Sequence, residues 1–221
     1  MSTSAELAHL IEQQAVSQGH ALGWSHFYCP ASRRENARLA TIGLNPGGGR
    51  DASIDWRNLR QIEDPNGNSY LIQRWGHNGG FSTLQRQIAR LLEVAGVAEQ
   101  EVISLNAVPF RSPDWKSLEN KKAAVSFGLG MLNDALVSSQ LRVVVAFGLG
   151  SIEKRVAKQL GYGDIISVPT GWGKIMARQY RNAAGATMFG LPHLSRFAIL
   201  GRPEAQELEE SIVRAMREEA H

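Results

Sequence analysis

The fold class of this chain follows from Leu39-Ala40-Thr41-Ile42-Gly43-Leu44-Asn45-Pro46-Gly47, a short apolar run that ends in an asparagine and a turn. A second stretch of this kind, Thr187-Met188-Phe189-Gly190-Leu191-Pro192-His193, ends in a histidine. Apolar runs of this length, bounded by Gly and Pro, predict strands buried in a parallel sheet. Polar groups just past the carboxyl ends of such strands lie where open α/β sheets bind ligands. The two stretches therefore predict a site that contains Asn45 and His193.

The rest of the chain alternates between strand and helix patterns. Residues 102–108 and 142–147 read as two more buried strands, and helical spacing marks residues 5–18, 82–96, 118–136, 148–160 and 203–219. This alternation implies right-handed crossovers and helices on both faces of a parallel sheet. We therefore expect an α/β fold with three layers (α/β/α) around a central four-stranded parallel sheet. Residues 165–168 and 174–180 predict a short ribbon.

Composition is that of an ordinary globular protein, with 43% hydrophobic and 20% charged residues among 221. We expect one domain over residues 1–221, in which residues 1–38 form an N-terminal helical extension. No apolar run reaches membrane-spanning length, and the first residues lack the order of a secretory signal. The single cysteine, Cys29, excludes a disulfide framework and any four-cysteine metal or iron–sulfur site in this chain. We expect a cytoplasmic monomer.

Charge is distributed unevenly along the chain. The formal net charge is +3, but residues 203–219 carry six Glu and two Arg, so the remaining residues carry +7. Arginine outnumbers lysine 18 to 6, and the planar guanidinium is the better partner for phosphate. This pattern permits nucleic-acid binding, although an arginine-biased genome would produce it too.

Individual polar residues have both a structural and a functional interpretation. Asn106 lies within an apolar strand, where its amide must be satisfied by the backbone or by a ligand. An amide both donates and accepts, which suits the edge of a nucleobase. His193 alone could be a buried histidine with a structural partner. Because Asn45, Asn106 and His193 each lie at the carboxyl end of a predicted strand, the pattern favours a common site.

Glycines and aromatic residues in the long loop at 47–80 also allow two interpretations. The loop starts with Gly47-Gly48-Gly49, which lets backbone approach a ligand or simply forms a turn. It has neither the P-loop nor the Rossmann spacing. Phe81, after Gly79-Gly80, belongs either to the core or to a stacking surface for a planar ring. Tryptophans in predicted loops cover the core or contact bases: Trp56, Trp75, Trp115 and Trp172.

From about residue 39 onward, this ordered set resembles the uracil-DNA glycosylase superfamily. Gly43-Leu44-Asn45-Pro46-Gly47 is similar to its first motif, in the Asn form of the mismatch-specific and single-strand-selective branches. Leu105-Asn106-Ala107-Val108 resembles the strand with the base-reading asparagine, and Gly80-Phe81-Ser82 the segment with the stacking aromatic. His193-Leu194-Ser195-Arg196 resembles the second motif.

The resemblance implies a monofunctional DNA glycosylase of base excision repair, which flips uracil or a related damaged base and hydrolyses its N-glycosidic bond. It implies that Asn45 positions the attacking water and that His193 stabilises the charge on the departing base. Phe81 would stack on the base, and Asn106 would read its edge. Further substrate contacts are expected from Gly43, Leu44, Gly47 and Ser195, and DNA contacts from Gly48, Gly49, Arg196 and Phe197. DNA is the implied partner, and no metal or other cofactor is implied.

The chain departs from the family pattern at three places. Leu194 replaces the usual proline of the second motif, which implies a different loop geometry. Gly47 stands where the most uracil-specific branch has a tyrosine, so the resemblance implies a roomier pocket. Residues 50–78 form an insertion that could cover the site, and the single cysteine argues against the iron–sulfur branches.

Two other functions remain open on the sequence. The first is a protein of the same fold that binds nucleic acid or a nucleotide without cleaving the base. The second is a small-molecule enzyme, such as a nucleoside hydrolase or a deaminase. Zinc-dependent deamination is disfavoured because the chain lacks paired cysteines.

Overall fold

In the part of the chain that the structure describes, a six-stranded and mostly parallel sheet carries helices on both faces. The structure is a computed structural model and describes residues 3–48, 54–55, 58–136, 138, 140–148 and 152–218. The strands are β1 (Trp24–Ser25), β2 (Leu39–Gly43), β3 (Arg60–Gln61), β4 (Val102–Asn106), β5 (Val143–Phe147), β6 (Tyr162–Trp172), β7 (Ile175–Asn182) and β8 (Thr187–Leu191). The helices are α1 (Ser4–Ser17), α2 (Ser69–Ile72), α3 (Thr83–Ala95), α4 (Lys121–Ala135), α5 (Glu153–Gln159) and α6 (Gln206–Arg217).

Over the described residues, the central sheet has two strands more than the sequence predicted. Its order is β4-β2-β5-β8-β7-β6, and the four predicted strands, β4, β2, β5 and β8, are parallel neighbours. The hairpin of β6 and β7 extends the sheet, because β7 pairs antiparallel with β8 and places Arg178 opposite Gly190. The prediction of a four-stranded sheet was wrong because the predicted ribbon joins the sheet through backbone hydrogen bonds. Side-chain periodicity does not reveal which edge a hairpin pairs with.

Alternate side chains of each parallel strand face two hydrophobic cores. In β5, Val144 and Ala146 face the first core, whereas Val143, Val145 and Phe147 face the second. Helices α1, α4 and α5 cover the first core, and α3 and α6 cover the second. The α/β class is therefore confirmed, with the sheet between two helical layers.

Strands β2 and β5 lie next to each other, but the chain leaves them in opposite directions. After β2 the chain passes through α3, beside the second core, to β4 at one edge of the sheet. After β5 it passes through α5, beside the first core, to the hairpin at the other edge. Open α/β sheets bind ligands at such a switch, outside the carboxyl ends of the strands. Asn45 and Phe147 lie at this place.

Helix α4 packs very closely against the chain that follows β4. A Cβ atom on Gly128 would lie 2.0 Å from the carbonyl oxygen of Ala107, so only a glycine allows this approach. Gly130, on the same helix, faces open space. The close contact fixes the backbone directly after Asn106.

The N-terminal residues and the long loop both contribute ordered structure. The predicted first helix is confirmed as α1, which begins with a capping box between Thr3 and Glu6. The segment that follows it buries Trp24 and Phe27 in the first core. The loop at 47–80 contains β3, α2 and a 3₁₀ helix, while residues 49–53 and 56–57, with Trp56, lie outside the described residues. None of the described helices is long and apolar enough to cross a membrane.

Candidate active site

Side chains at the carboxyl ends of β4 and β5 pack closely against Gly43, which ends β2. A Cβ atom on Gly43 would lie 2.7 Å from Oδ1 of Asn106 and 3.3 Å from the ring of Phe147. Gly43 and Asn106 are register partners in neighbouring strands. Because Gly43 has no side chain, the Asn106 amide and the Phe147 ring both approach its backbone. We refer to the crevice outside these strand ends, at the switch between β2 and β5, as the opening. The structure thus brings together two residues predicted for the site and adds a third.

His193 lies beside this opening, with its ring nearly perpendicular to that of Phe147 and the two centroids 5.8 Å apart. Its Nδ1 accepts a hydrogen bond from the backbone N–H of Ser195 over 3.3 Å, and the Ser195 hydroxyl lies 2.7 Å from the same atom. A backbone N–H can only donate, so the neutral ring carries its proton on Nε2. Burial, and then the charge of Arg196, lower the pKa of His193 from its usual 6.5. At neutral pH His193 is an uncharged donor.

An aromatic cluster of Tyr28, Tyr70, Trp75 and Phe147 adjoins the opening. The centroids of Tyr28 and Tyr70 are 4.9 Å apart, and Trp75 lies 5.8 Å and 5.3 Å from them. Tyr70 also approaches Phe147, at 6.5 Å. Tyr70 and Phe147 are buried, whereas Trp75 is 39% exposed, so the cluster extends from the core to the surface. Such rings provide flat surfaces on which a planar ligand can stack.

Asn45 is half-buried, and its amide group is held by the turn after β4. Its Nδ2 donates to the carbonyl oxygens of Pro46 and Phe110, at 3.1 Å and 3.2 Å, and lies 2.9 Å from the Ser112 hydroxyl. Among the described residues, no group donates a hydrogen bond to Oδ1. The side chain is therefore anchored through its donor.

The loop after Asn45 is open at Gly47. A Cβ atom on this exposed residue would meet no atom within 4 Å, while the guanidinium of Arg111 donates to the Gly47 carbonyl oxygen. Gly48 adopts a φ of 116°, which favours glycine. The loop can therefore hold a larger side chain at Gly47. Gly49, also predicted to contact DNA, lies outside the described residues.

Three residues predicted to contact substrate or DNA have other partners in the structure. The Leu44 side chain is buried in the first core, on the sheet face opposite to Phe147. The Phe81 ring lies 4.0 Å below the Arg74 guanidinium, and within the described chain no ring contact joins it to the aromatic cluster. Phe197 packs edge-on against Trp172 at 5.7 Å and against the second core. The structure brings none of the three to the opening at Gly43.

A buried glutamine anchors the segment that follows His193. Gln87 on α3 accepts hydrogen bonds from the N–H groups of Ile199 and Leu200, both at 2.8 Å, and donates to the Leu200 carbonyl oxygen over 3.0 Å. Between this anchor and β8, the Arg196 N–H donates to the His193 carbonyl oxygen in a tight turn. Ser195 and Arg196 are exposed on this turn, beside His193.

A buried carboxylate holds the helix that carries Tyr70. Asp64 is 3% exposed and accepts hydrogen bonds from the Ser69 hydroxyl at 2.6 Å and the Gln73 amide at 2.8 Å. Burial alone would raise the pKa of Asp64, but these hydrogen bonds and one from the Asn66 backbone lower it. Asp64 is therefore ionised and fixes the start of α2.

Sequence reasoning missed Tyr28, Tyr70 and Phe147. Phe147 ends an apolar run, which is the position that drew attention to Asn45 and His193, so a search of strand ends for every residue type would have found it. Tyr28 and Tyr70 lie in segments without periodicity, and no sequence signal marks them.

The described residues form neither a metal-binding cluster nor a reactive thiol site. Those residues include no group of three or more His, Cys, Asp or Glu side chains placed to hold a metal ion. Cys29 is buried, and burial raises the pKa of its thiol to about 12, so it is not a ready nucleophile.

Comparison of the sequence with models of known protein families gave no match, and comparison with curated proteins gave none either.

Proposed function

We propose that this protein is a monofunctional DNA glycosylase that hydrolyses the N-glycosidic bond of uracil or of a related damaged base. The observation that carries the proposal is the meeting of the Asn106 amide and the Phe147 ring at Gly43, with His193 beside them. A planar polar ring needs a flat apolar surface and hydrogen-bonding groups at its edge. An enzyme that acts on such a base in DNA must first flip it into a pocket.

In the proposed reaction, His193 stabilises the departing base. The N-glycosidic bond breaks, its electron pair stays with the base, and negative charge develops on the base oxygen. An N–H at Nε2 of His193 can donate a hydrogen bond to that oxygen. A preorganised donor of this kind typically contributes about 10²- to 10³-fold in rate.

In the proposed reaction, Asn45 orients the attacking water molecule. Its Oδ1 can accept a hydrogen bond from water, while its Nδ2 is held by the turn at Phe110. An amide does not take up a proton at neutral pH, so Asn45 orients the water and the proton passes to solvent after attack on the sugar carbon. We therefore expect a slower reaction than a carboxylate would support.

Positive charge near the opening supports DNA as the substrate. Arg196 is exposed next to His193, and Arg111 binds the loop at Gly47. Guanidinium groups at the edge of a pocket can bind the phosphates on either side of a flipped nucleotide. We further propose that the protein acts as a cytoplasmic monomer, which fits its free cysteine thiol.

The experiment uses oligonucleotides that carry one uracil, hydroxymethyluracil or xanthine, in single-stranded and duplex form. Treatment with protein and then alkali should break the strand at the modified base. Asn45→Ala and His193→Ala should reduce the cleavage rate by about 10²-fold or more. His9→Ala, at an exposed position on α1, serves as the matched control and should cleave as wild type does. Intact strands with every substrate would contradict the proposal.

A second candidate function is nucleic-acid binding without cleavage. It is favoured by the hydrogen bonds of Asn45, because an amide that holds the turn at Phe110 and Ser112 has a structural role without any catalysis. Binding of uracil-containing DNA that weakens with salt, with no strand break after alkali, would select this candidate.

A further inference from the structure

Tyr28 contacts the amide group of Asn106. The Tyr28 hydroxyl accepts a hydrogen bond from Nδ2 of Asn106 over 3.0 Å. The other amide atom, Oδ1, lies 2.7 Å from the place where Gly43 would carry a Cβ atom. The donor of Asn106 is thus engaged by Tyr28, and the acceptor lies beside Gly43, at the carboxyl end of β2.

The packing around Tyr28 fixes the position of its hydroxyl. Its ring contacts Tyr70 and Trp75 in the aromatic cluster, with centroids at 4.9 Å and 5.8 Å. Its own N–H donates to the Ser104 carbonyl oxygen over 2.8 Å, and its carbonyl oxygen accepts from Ser69 over 2.7 Å. Burial raises the pKa of Tyr28, so the hydroxyl stays protonated. Both backbone and ring are therefore held, and the hydroxyl cannot follow a rotating amide.

We propose that Tyr28 is a positioning residue that holds the Asn106 amide with Oδ1 toward the opening. The site then selects planar rings that offer an N–H donor at that edge, such as the N3–H of uracil. This inference deepens the proposed function, because it concerns the base that the same opening would bind.

Removal of the hydroxyl should relax this selection. The terminal torsion of asparagine is broad and nearly two-fold, so an unheld amide can present either its oxygen or its nitrogen. Tyr28→Phe would keep the aromatic packing and remove only the acceptor for Nδ2. The variant should still bind a planar ring, but with less discrimination between rings that do and do not carry the N–H.

The probes are free uracil and 3-methyluracil, whose affinities are measured by calorimetry. Wild type should bind uracil about tenfold more tightly, as expected for one hydrogen bond. Tyr28→Phe should reduce this ratio to about twofold or less, whereas Tyr162→Phe, which removes another buried hydroxyl, should leave it unchanged. The bulk of the methyl group is the same in all three proteins, so the change in ratio reports the amide. An unchanged ratio in Tyr28→Phe would overturn the inference.

A second pair of variants separates orientation of the amide from loss of structure. Asn106→Ala should abolish the uracil preference, and adding Tyr28→Phe to it should change the ratio no further. A further drop in the double variant would show that Tyr28 acts by another route and would overturn the inference.

Strand cleavage is measured on the same proteins to distinguish the two proposals. If wild type cleaves uracil-containing DNA but Tyr28→Phe leaves the uracil to 3-methyluracil affinity ratio unchanged, the proposed function stands and the inference is refuted. If Tyr28→Phe loses the preference for uracil over 3-methyluracil but wild type breaks no strand, the inference stands and the proposed glycosylase activity is refuted. If wild type does not prefer uracil, the role of Tyr28 is refuted, whatever the cleavage result.

Discussion

The backbone N–H of Ser195 donates to Nδ1 of His193 over 3.3 Å, and this contact leaves the ring proton on Nε2. The geometry comes from a turn that returns the chain to the histidine two residues later. The imidazole is thereby prepared as a neutral donor before any substrate arrives. Orientation of a histidine through its other nitrogen is a general device of active sites.

The first prediction concerns this tautomer. In Ser195→Ala the backbone N–H remains, so the ring should keep its proton on Nε2, and cleavage should fall by only a few-fold at most, within about 1 kcal/mol. Burial, then Arg196, lower the pKa of His193 below 6.5, so cleavage should stay level as the pH falls from about 8 to 6.5. Nitrogen NMR of the imidazole and a pH–rate profile provide the measurements. A proton found on Nδ1 would contradict this prediction.

The second prediction concerns Gly43, against which Asn106 and Phe147 pack. Gly43→Ala would place a methyl group 2.7 Å from Oδ1 of Asn106, too close for the amide to keep its position. We expect uracil affinity to fall by about tenfold or more, since a hydrogen bond and the ring position are both lost. Gly47→Ala adds the same methyl group in open space and should bind as wild type does. Equal affinities of the two variants would refute this account of the opening.

The third prediction concerns the size of the pocket. A tyrosine at Gly47 meets no atom near its Cβ, so the variant should fold normally. Its ring can fill space beside the loop and exclude a base with a 5-substituent. Cleavage of hydroxymethyluracil relative to uracil should therefore be lower in Gly47→Tyr than in wild type, by about tenfold for a steric effect of about 1.4 kcal/mol. An unchanged ratio of the two rates would mean that Gly47 does not border the base.

The fourth prediction compares two glycines on helix α4. Gly128→Ala would place a methyl group 2.0 Å from the Ala107 carbonyl oxygen and should lower the free energy of unfolding by about 3 kcal/mol or more. Gly130→Ala meets open space and should raise it by roughly 0.5–1 kcal/mol, because alanine favours a helix. Urea denaturation measures both. Similar effects of the two substitutions would show that α4 does not approach β4 this closely.

The fifth prediction concerns stability at acid pH. His26 is 1% exposed, and burial, then the charge of Arg34, lower its pKa to about 3. Between pH 6.5 and 3 the unfolded chain therefore binds a proton that the folded chain does not, so stability falls as the pH falls, by up to about 1.4 kcal/mol per pH unit. Urea denaturation at about pH 7 and about pH 5 should show a smaller loss for His26→Leu than for wild type. The exposed His9→Ala is the control, and equal losses in all three proteins would exclude His26 as the cause.

The parts of the fold that the sequence predicted are those governed by side-chain burial. Strands β2, β4, β5 and β8 follow from apolar runs, and the parallel register of β2 and β4 places Gly43 beside Asn106. The hairpin of β6 and β7 joins the sheet through backbone pairing with β8, which leaves no distinct residue pattern. Strand count was therefore the weakest part of the prediction.

The aromatic residues of the site illustrate a second limit of prediction from the sequence. Phe81 satisfies the local pattern of a stacking residue, yet its ring packs under Arg74, an interaction between neighbouring loop residues that periodicity cannot predict. Tyr28 and Tyr70 meet only because separate loops converge over the second core. Convergence of loops depends on tertiary contacts, such as the hydrogen bond from the Ser69 N–H to the Tyr28 carbonyl oxygen, and local sequence patterns do not predict these contacts.

The groups around Gly43 come from distant parts of the sequence, since Tyr28 precedes β2 and His193 follows β8. No fragment cut between them can hold the complete set. During synthesis, this set therefore cannot assemble until His193 has left the ribosome. Nascent chains that stop before β8 should not bind a DNA base, and the appearance of base binding would report that β8 has joined the sheet.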